Sequence, residues 1–149
     1  MNISEHAEEV RIRLLEVSEC TREADALQHK YFHILENAAS PHAVDYSRER
    51  VGGSMSRTSA QERAMVDAFD VLQEYGRALI RECNTRLAAM DLIFRVEDPV
   101  LLDALYYRYM TSLTAAQIAQ KMEVSEKQIY RYIRAGLEAL SASLQASQA

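Results

Sequence analysis

Two helix-start signatures stand eleven residues apart near the end of the chain, and they limit that region to one kind of structure. Thr114 precedes an apolar-periodic run and has Gln117 three residues on; Ser125 has Gln128 at the same interval. In each, the hydroxyl can accept from a backbone N–H freed at the helix start while the glutamine reaches back to the cap. Only about two helical turns fit between the starts, so the stretch has to be two short helices joined by a tight turn. Ala115, Ile118, Ala119 and Met122 repeat at helical spacing in the first helix. In the second, Ile129, Ile133, Leu137 and Leu140 share a face, and at ~100° per residue Lys127, Arg131 and Arg134 fall opposite them. One side is built to pack and the other is basic.

Two helices linked by about three residues cannot lie in line, and cations on the outer face of the second match the helix-turn-helix arrangement, whose second helix enters the major groove of DNA. The segment 126–140 is then the recognition helix. Lys127, Gln128 and Arg131 stand where base edges are met, and Ser125, Arg134 and Lys121 stand where phosphates are held. Tyr130 and Tyr132 flank this face. The competing reading makes the cations a solvated face and the two capped helices merely the end of a bundle.

The stretch LLDALYYRYMTSLTAAQIAQKMEVSEKQIYRYIRAGLEAL resembles region 4 of bacterial sigma factors, in which a helix ending in a Leu/Tyr-Arg-Tyr pattern precedes the turn-linked pair. Here that pattern is Leu105, Tyr106, Tyr107, Arg108 and Tyr109; the alanine of the first helix matches Ala119, and the buried aliphatic ten residues on matches Ile129. Two positions depart: Glu123 replaces the turn glycine and Ser112 the glycine before the first helix. Where the turn needs a positive φ, Glu123 costs about 1 kcal/mol. Over 36–140 the chain is further similar to small phage- and prophage-encoded, sigma-like regulators. Their order is an N-terminal helix, a Ser-Pro and Gly-rich connection, a second long helix and a region 4-like end. Some act as autolysin or late-gene regulators. The resemblance implies a DNA-binding role in transcription, with double-stranded DNA and RNA polymerase as partners.

Upstream, the apolar periodicity predicts two long helices. From Ser4 to Ala39 the positions Ile3, Ala7, Val10, Leu14, Val17, Cys20, Ala24, Leu27, Tyr31, Ile34 or Leu35, and Ala38 step by threes and fours with no Gly or Pro between them. At 1.5 Å per residue about 36 residues reach ~54 Å, the length of a coiled-coil arm rather than of a helix inside a compact globule. Pro41 stops it. Residues 40–59, with Gly52, Gly53, Arg48, Arg50 and Arg57, read as a flexible loop, and no phosphate-binding motif surrounds the glycines. Thr58 or Ser59 is the expected cap of the second helix, whose stripe is Met65, Phe69, Leu72, Gly76, Leu79, Cys83, Leu87, Met90 and Phe94. The two stripes need partners, which antiparallel pairing supplies, and the apolar surface left over predicts a homodimer through this arm, a four-helix bundle. Asp98 before Pro99 caps a third helix that supports the turn-linked pair. Beyond Leu140 the tail SASLQASQA is expected to fray.

A hydrophobic fraction of 48% suits a folded core. No apolar run reaches eighteen residues, and the acidic start lacks the pattern of a signal peptide, so a cytoplasmic protein without membrane contact is expected. Cys20 and Cys83 read as reduced thiols on apolar stripes. A net charge of −5 argues against a generic nucleic-acid binder and makes the distribution matter. Residues 1–39 carry 4 Lys/Arg against 8 Asp/Glu, while 99–149 carry 5 against 4, so attraction to phosphate is weak per copy and a dimer or RNA polymerase would add to it. His29 and His33, four apart with Glu36 beyond, have metal-ligand spacing but no third ligand, and Glu5, His6 and Glu9 are weaker. With no nucleophile elbow, catalytic triad or nucleotide loop, neither an enzyme nor a cofactor is expected.

The sequence thus predicts an all-α chain: a long antiparallel helical hairpin over 1–95, then a small helix-turn-helix domain over 96–149. Its expected function is sequence-specific DNA binding in phage-type transcription. Two other readings fit the same pattern: a coiled-coil adaptor that docks on RNA polymerase or another protein without reading DNA, and a small terminase-like DNA-packaging subunit.

Overall fold

Residues 5–39 contain neither Gly nor Pro, and they form one uninterrupted helix, α1 (Glu5–Ala39). The computed structural model describes residues 3–39 and 55–148, and the described chain is all-α. A second long helix, α2 (Met55–Ile93), is followed by three shorter ones: α3 (Pro99–Tyr109), α4 (Ala115–Lys121) and α5 (Glu126–Gln148). Residues 40–54 of the expected loop, with Arg48, Arg50 and the two glycines, lie outside the described residues. Because α2 already begins at Met55, Thr58 and Ser59 lie inside the helix rather than at its start.

Helices α1 and α2 form the expected long antiparallel hairpin. Glu23 Oε1 accepts from Arg81 Nη2 at 2.6 Å, and nearer the start of α1 Cys20 Sγ lies 3.7 Å from Thr85 Oγ1. Both cysteines are free thiols, with Cys20 half-buried and Cys83 exposed.

The chain divides into two compact units, and the division does not follow the expected boundary at 95/96. One unit comprises 1–20 with 82–149, the other Thr21–Arg81. The reason lies in the core of the first unit. Leu105, Ile118, Ile129, Leu137 and Leu140 from the three short helices share one hydrophobic cluster with Ala7, Val10, Leu14 and Val17 of α1 and Ala89 and Ile93 of α2. Three helices of 7 to 23 residues bury too little apolar surface alone, and the first turns of α1 with the last turns of α2 complete the core.

The stripe expected on α1 is observed, with Ile34 half-buried and Leu35 exposed resolving the one ambiguity. The stripe expected on α2 is not. Met65 is 71% exposed, Phe69 59%, Leu87 60% and Phe94 60%; Leu72 and Leu79 are also exposed, and Met90 alone of the large side chains is held against the core. The buried face carries Ala68, Val71, Ala78, Ala89 and Ile93 instead. Small side chains let two helix backbones approach closely, and among the described residues of the second unit α1 contributes only Ala24 to the fully buried set.

The expectation that the tail frays after Leu140 is also corrected. Helix α5 continues to Gln148, Ser141 is buried and Leu144 packs against the core. At the start of α1 the Ser4 backbone N–H and Oγ each donate to the Glu138 carboxylate, both at 2.7 Å. A polar tail holds its helix as far as Gln148 because it has a packed face to lie on. Among the described residues no helix is long and apolar enough to cross a membrane.

Candidate nucleic-acid interface

The turn-linked pair forms as its caps specify. Thr114 Oγ1 accepts from Gln117 N at 3.3 Å and Gln117 Oε1 accepts from Thr114 N at 2.9 Å, a complete capping box. At the start of α5 the box is half made: Ser125 Oγ accepts from Gln128 N at 3.3 Å, while Gln128 Oε1 accepts from Arg131 Nη1 at 3.5 Å and so faces outward.

Between the helices, Glu123 N–H donates to Gln120 O and Val124 N–H donates to Ala119 O, the pair of bonds of a Schellman turn. That turn needs a left-handed residue directly after the C-cap, and Glu123 supplies it at φ 56°, the one positive φ outside glycine among the described residues. Glutamate therefore occupies the usual glycine conformation, at the cost of crowding its Cβ. Val124 packs its side chain on the core and closes the turn from inside.

The third helix of the module is anchored at both ends. Asp98 accepts from Val100 N at 2.9 Å with Pro99 in the first turn, and Arg86 of α2 donates to the Met110 carbonyl at 2.8 Å beyond the end of α3. Helix α3 crosses α5 at Gly136, where an added Cβ would stand 2.9 Å from Leu105 Cγ, so only glycine allows this approach. Tyr109, buried near the end of α3, keeps its proton to higher pH than a free phenol because burial disfavours the anion, an effect that the Arg11 and Arg108 charges partly oppose.

On this frame α5 turns Ile129, Ile133, Gly136, Leu137 and Leu140 inward. Lys127, Arg131 and Arg134 are exposed on the opposite side, Ser125 is exposed at the helix start, and Gln128 is half-buried at the edge. The six expected site residues thus lie on the turn-linked pair, five on or directly before α5. Lys121 ends α4 with its ammonium 4.8 Å over the Tyr107 ring, a contact that holds the cation near α3. Glu138, one turn beyond Arg134, is tied to Ser4, and the hydrogen bonds from the Ser4 N–H and hydroxyl hold its carboxyl below the usual 4.5.

Tyr130, 49% exposed, stands beside the cations and belongs to the presented surface. This is where the sequence places it, flanking the basic face. Tyr106 and Tyr107 stack edge-on with ring centroids 5.9 Å apart and pack against the core. The acidic residues Glu123 and Glu126 are also exposed at the same end of the pair. On α1, Asn37 Nδ2 meets His33 Nε2 at 3.1 Å, and among the described residues no group of three or more His, Cys, Asp and Glu is placed to hold a metal ion. Compared with protein-family models, curated proteins and solved structures, the chain finds no match.

Proposed function

We propose that the terminal module binds double-stranded DNA as a helix-turn-helix, with the first half of α5 in the major groove. In this reading Lys127, Gln128 and Arg131 reach base edges and Ser125, Arg134 and Lys121 hold phosphates. The observation that carries it is the combination of a capped α4, a Schellman turn and an α5 whose exposed face holds Lys127, Arg131 and Arg134. A rigid turn fixes the angle of the second helix, and cations on its outer side are what a groove lined with phosphate requires. The role that the resemblance to sigma-like phage regulators implies for such a module is a cytoplasmic transcription regulator, acting as a dimer and contacting RNA polymerase through the same module.

Selection of bound duplexes from a random pool at moderate salt tests the proposal, with an Arg131→Ala, Arg134→Ala variant alongside. The wild type is expected to enrich a motif and the variant none. Arg131→Ala alone should weaken binding to the selected site by about 1–3 kcal/mol without loss of helicity. Enrichment of no sequence by the wild type removes direct readout.

One observation favours a second reading. Glu123 and Glu126 face solvent at the end of the pair that would meet DNA, and the module is close to neutral. An adaptor that docks this surface on RNA polymerase would bind duplex no more tightly as salt is lowered, whereas a DNA reader loses affinity steeply as salt rises.

A further inference from the structure

The first turns of α1 and the last turns of α5 lie side by side within one compact unit, tied at one end by the bonds from Ser4 to Glu138. Beyond that tie the two helices do not close on each other. A cleft of about 110 Å³ stays open between Val10 and Arg13 of α1 and Ser141, Leu144, Gln145 and Gln148 of α5. His6 and Glu9 stand beside it. The space holds about four waters, or a solute of about five or six non-hydrogen atoms.

One group in the cleft is out of place in a packed interface. Ser141 is 5% exposed, yet among the described residues its hydroxyl has no hydrogen-bond partner. A buried hydroxyl left so is costly, and the cleft is what keeps this one within reach of water or a solute. Arg13 is exposed and in no ion pair among the described residues, although Glu16 and Asp91 share a second groove with it. The one carboxylate beside the cleft, Glu9, is turned to His6, with Oε2 3.9 Å from Nδ1. What the cleft offers a solute is therefore donors: the Arg13 fork, the Ser141 O–H and the carboxamide N–H groups of Gln145 and Gln148. Val10 and Leu144 give it an apolar wall.

We propose that this cleft binds a small monocarboxylate. The carboxylate of the solute takes the Arg13 fork and the Ser141 O–H, Gln145 and Gln148 donate to its remaining lone pairs, and a short aliphatic tail lies on Val10 and Leu144. A planar, singly charged head matches the guanidinium, and the tail accounts for apolar and donor groups sharing so small a space. Glu9 sets the charge limit: Arg13 balances one negative charge, and a second would stand against the Glu9 carboxylate, which disfavours phosphate and dicarboxylates. Once bound, the solute bridges the polar tail of α5 to α1 with hydrogen bonds that the chain does not make by itself. The site does not depend on DNA binding.

Titration of the full chain with sodium propionate at constant ionic strength, followed by calorimetry and by backbone amide shifts, tests the site. Saturable binding with a Kd on the order of millimolar is expected, with the shifts centred on Ser141 and Gln145. The melting temperature should rise with the logarithm of propionate above that Kd. Arg13→Gln should weaken binding about tenfold, and Ser141→Ala, which keeps the helix and loses one donor, about fivefold. Equal binding by the wild type and both variants would overturn the site. Shifts confined to Lys127, Arg131 and Arg134 would overturn it as well, since they would mark general attraction to the basic face. Inorganic phosphate bound as tightly as propionate would overturn the monocarboxylate class. Absence of saturable binding up to about 100 mM propionate would overturn the cleft as a binding site altogether.

Discussion

The two compact units use the same residue types in opposite ways. In the unit built around α3, α4 and α5, the large side chains are inside: Leu14, Ile93, Leu105, Ile118, Ile129, Leu137 and Leu140 are all essentially inaccessible. Among the described residues of the Thr21–Arg81 unit the buried positions are Ala24, Ala68, Val71 and Ala78, and Met65, Val66, Phe69 and Ile80 are outside. Five helical segments converging from different directions enclose a volume that large side chains fill. Two helices side by side enclose only a line of contact, which small residues make close. Apolar content alone therefore does not locate a core; the number of elements meeting there does.

The sharpest way to break this comparison is truncation on both sides of it. Leu137→Ala should destabilise the protein by about 2–5 kcal/mol in chemical unfolding, since the cavity has core on every side. Phe69→Ala, measured at a protein concentration too low for self-association, should change stability by no more than about 0.5 kcal/mol although it removes a larger side chain. Equal losses at the two sites would mean that the second unit buries its large residues after all.

A smaller effect is expected where α3 crosses α5. Gly136→Ala raises helix propensity by about 1 kcal/mol, yet its Cβ would press on the buried branch point of Leu105, so a net loss of about 1–3 kcal/mol is expected. A stabilised variant would show that the crossing can open. At the turn the sign reverses. Glu123→Gly should raise the melting temperature modestly, by the equivalent of about 0.5–1 kcal/mol, because glycine adopts the left-handed conformation without crowding. Any loss would mean that the glutamate makes a compensating contact.

The smallest effect is electrostatic. Glu138 has its carboxyl lowered in the folded chain by its bonds from Ser4, so its contribution is present above pH 4.5 and is lost as the pH falls through the lowered value. Glu138→Gln should flatten the acid limb of a stability-against-pH curve and leave the neutral plateau in place. An unchanged acid limb would show that the carboxylate and Ser4 do not hold together in solution.

Much of the local structure was legible in the residues themselves. The capping box at Thr114, the cap at Ser125, the Asp98-Pro99 start and the inward face of α5 each depend on groups within a turn or two of one another, so their energies are set locally. The strain at Glu123 was raised only by the resemblance, in which a glycine holds that place, and the Schellman turn after Met122 gives it the positive φ. The placement of Lys127, Arg131 and Arg134 outside followed once Ile129 and Ile133 were inside.

What the sequence by itself determined, then, is the set of helices, the turn-linked pair and the single basic face. Tertiary structure alone decided which side of α2 would be buried, that the ends of α1 and α2 would complete the core of the terminal module, and that α5 would run to Gln148. The physical reason is common to all three. Helix α2 carries a stripe of large residues and a stripe of small ones, and periodicity weights both. Only the shape of the partner helix selects between them, and only a packed neighbour can hold a polar tail helical.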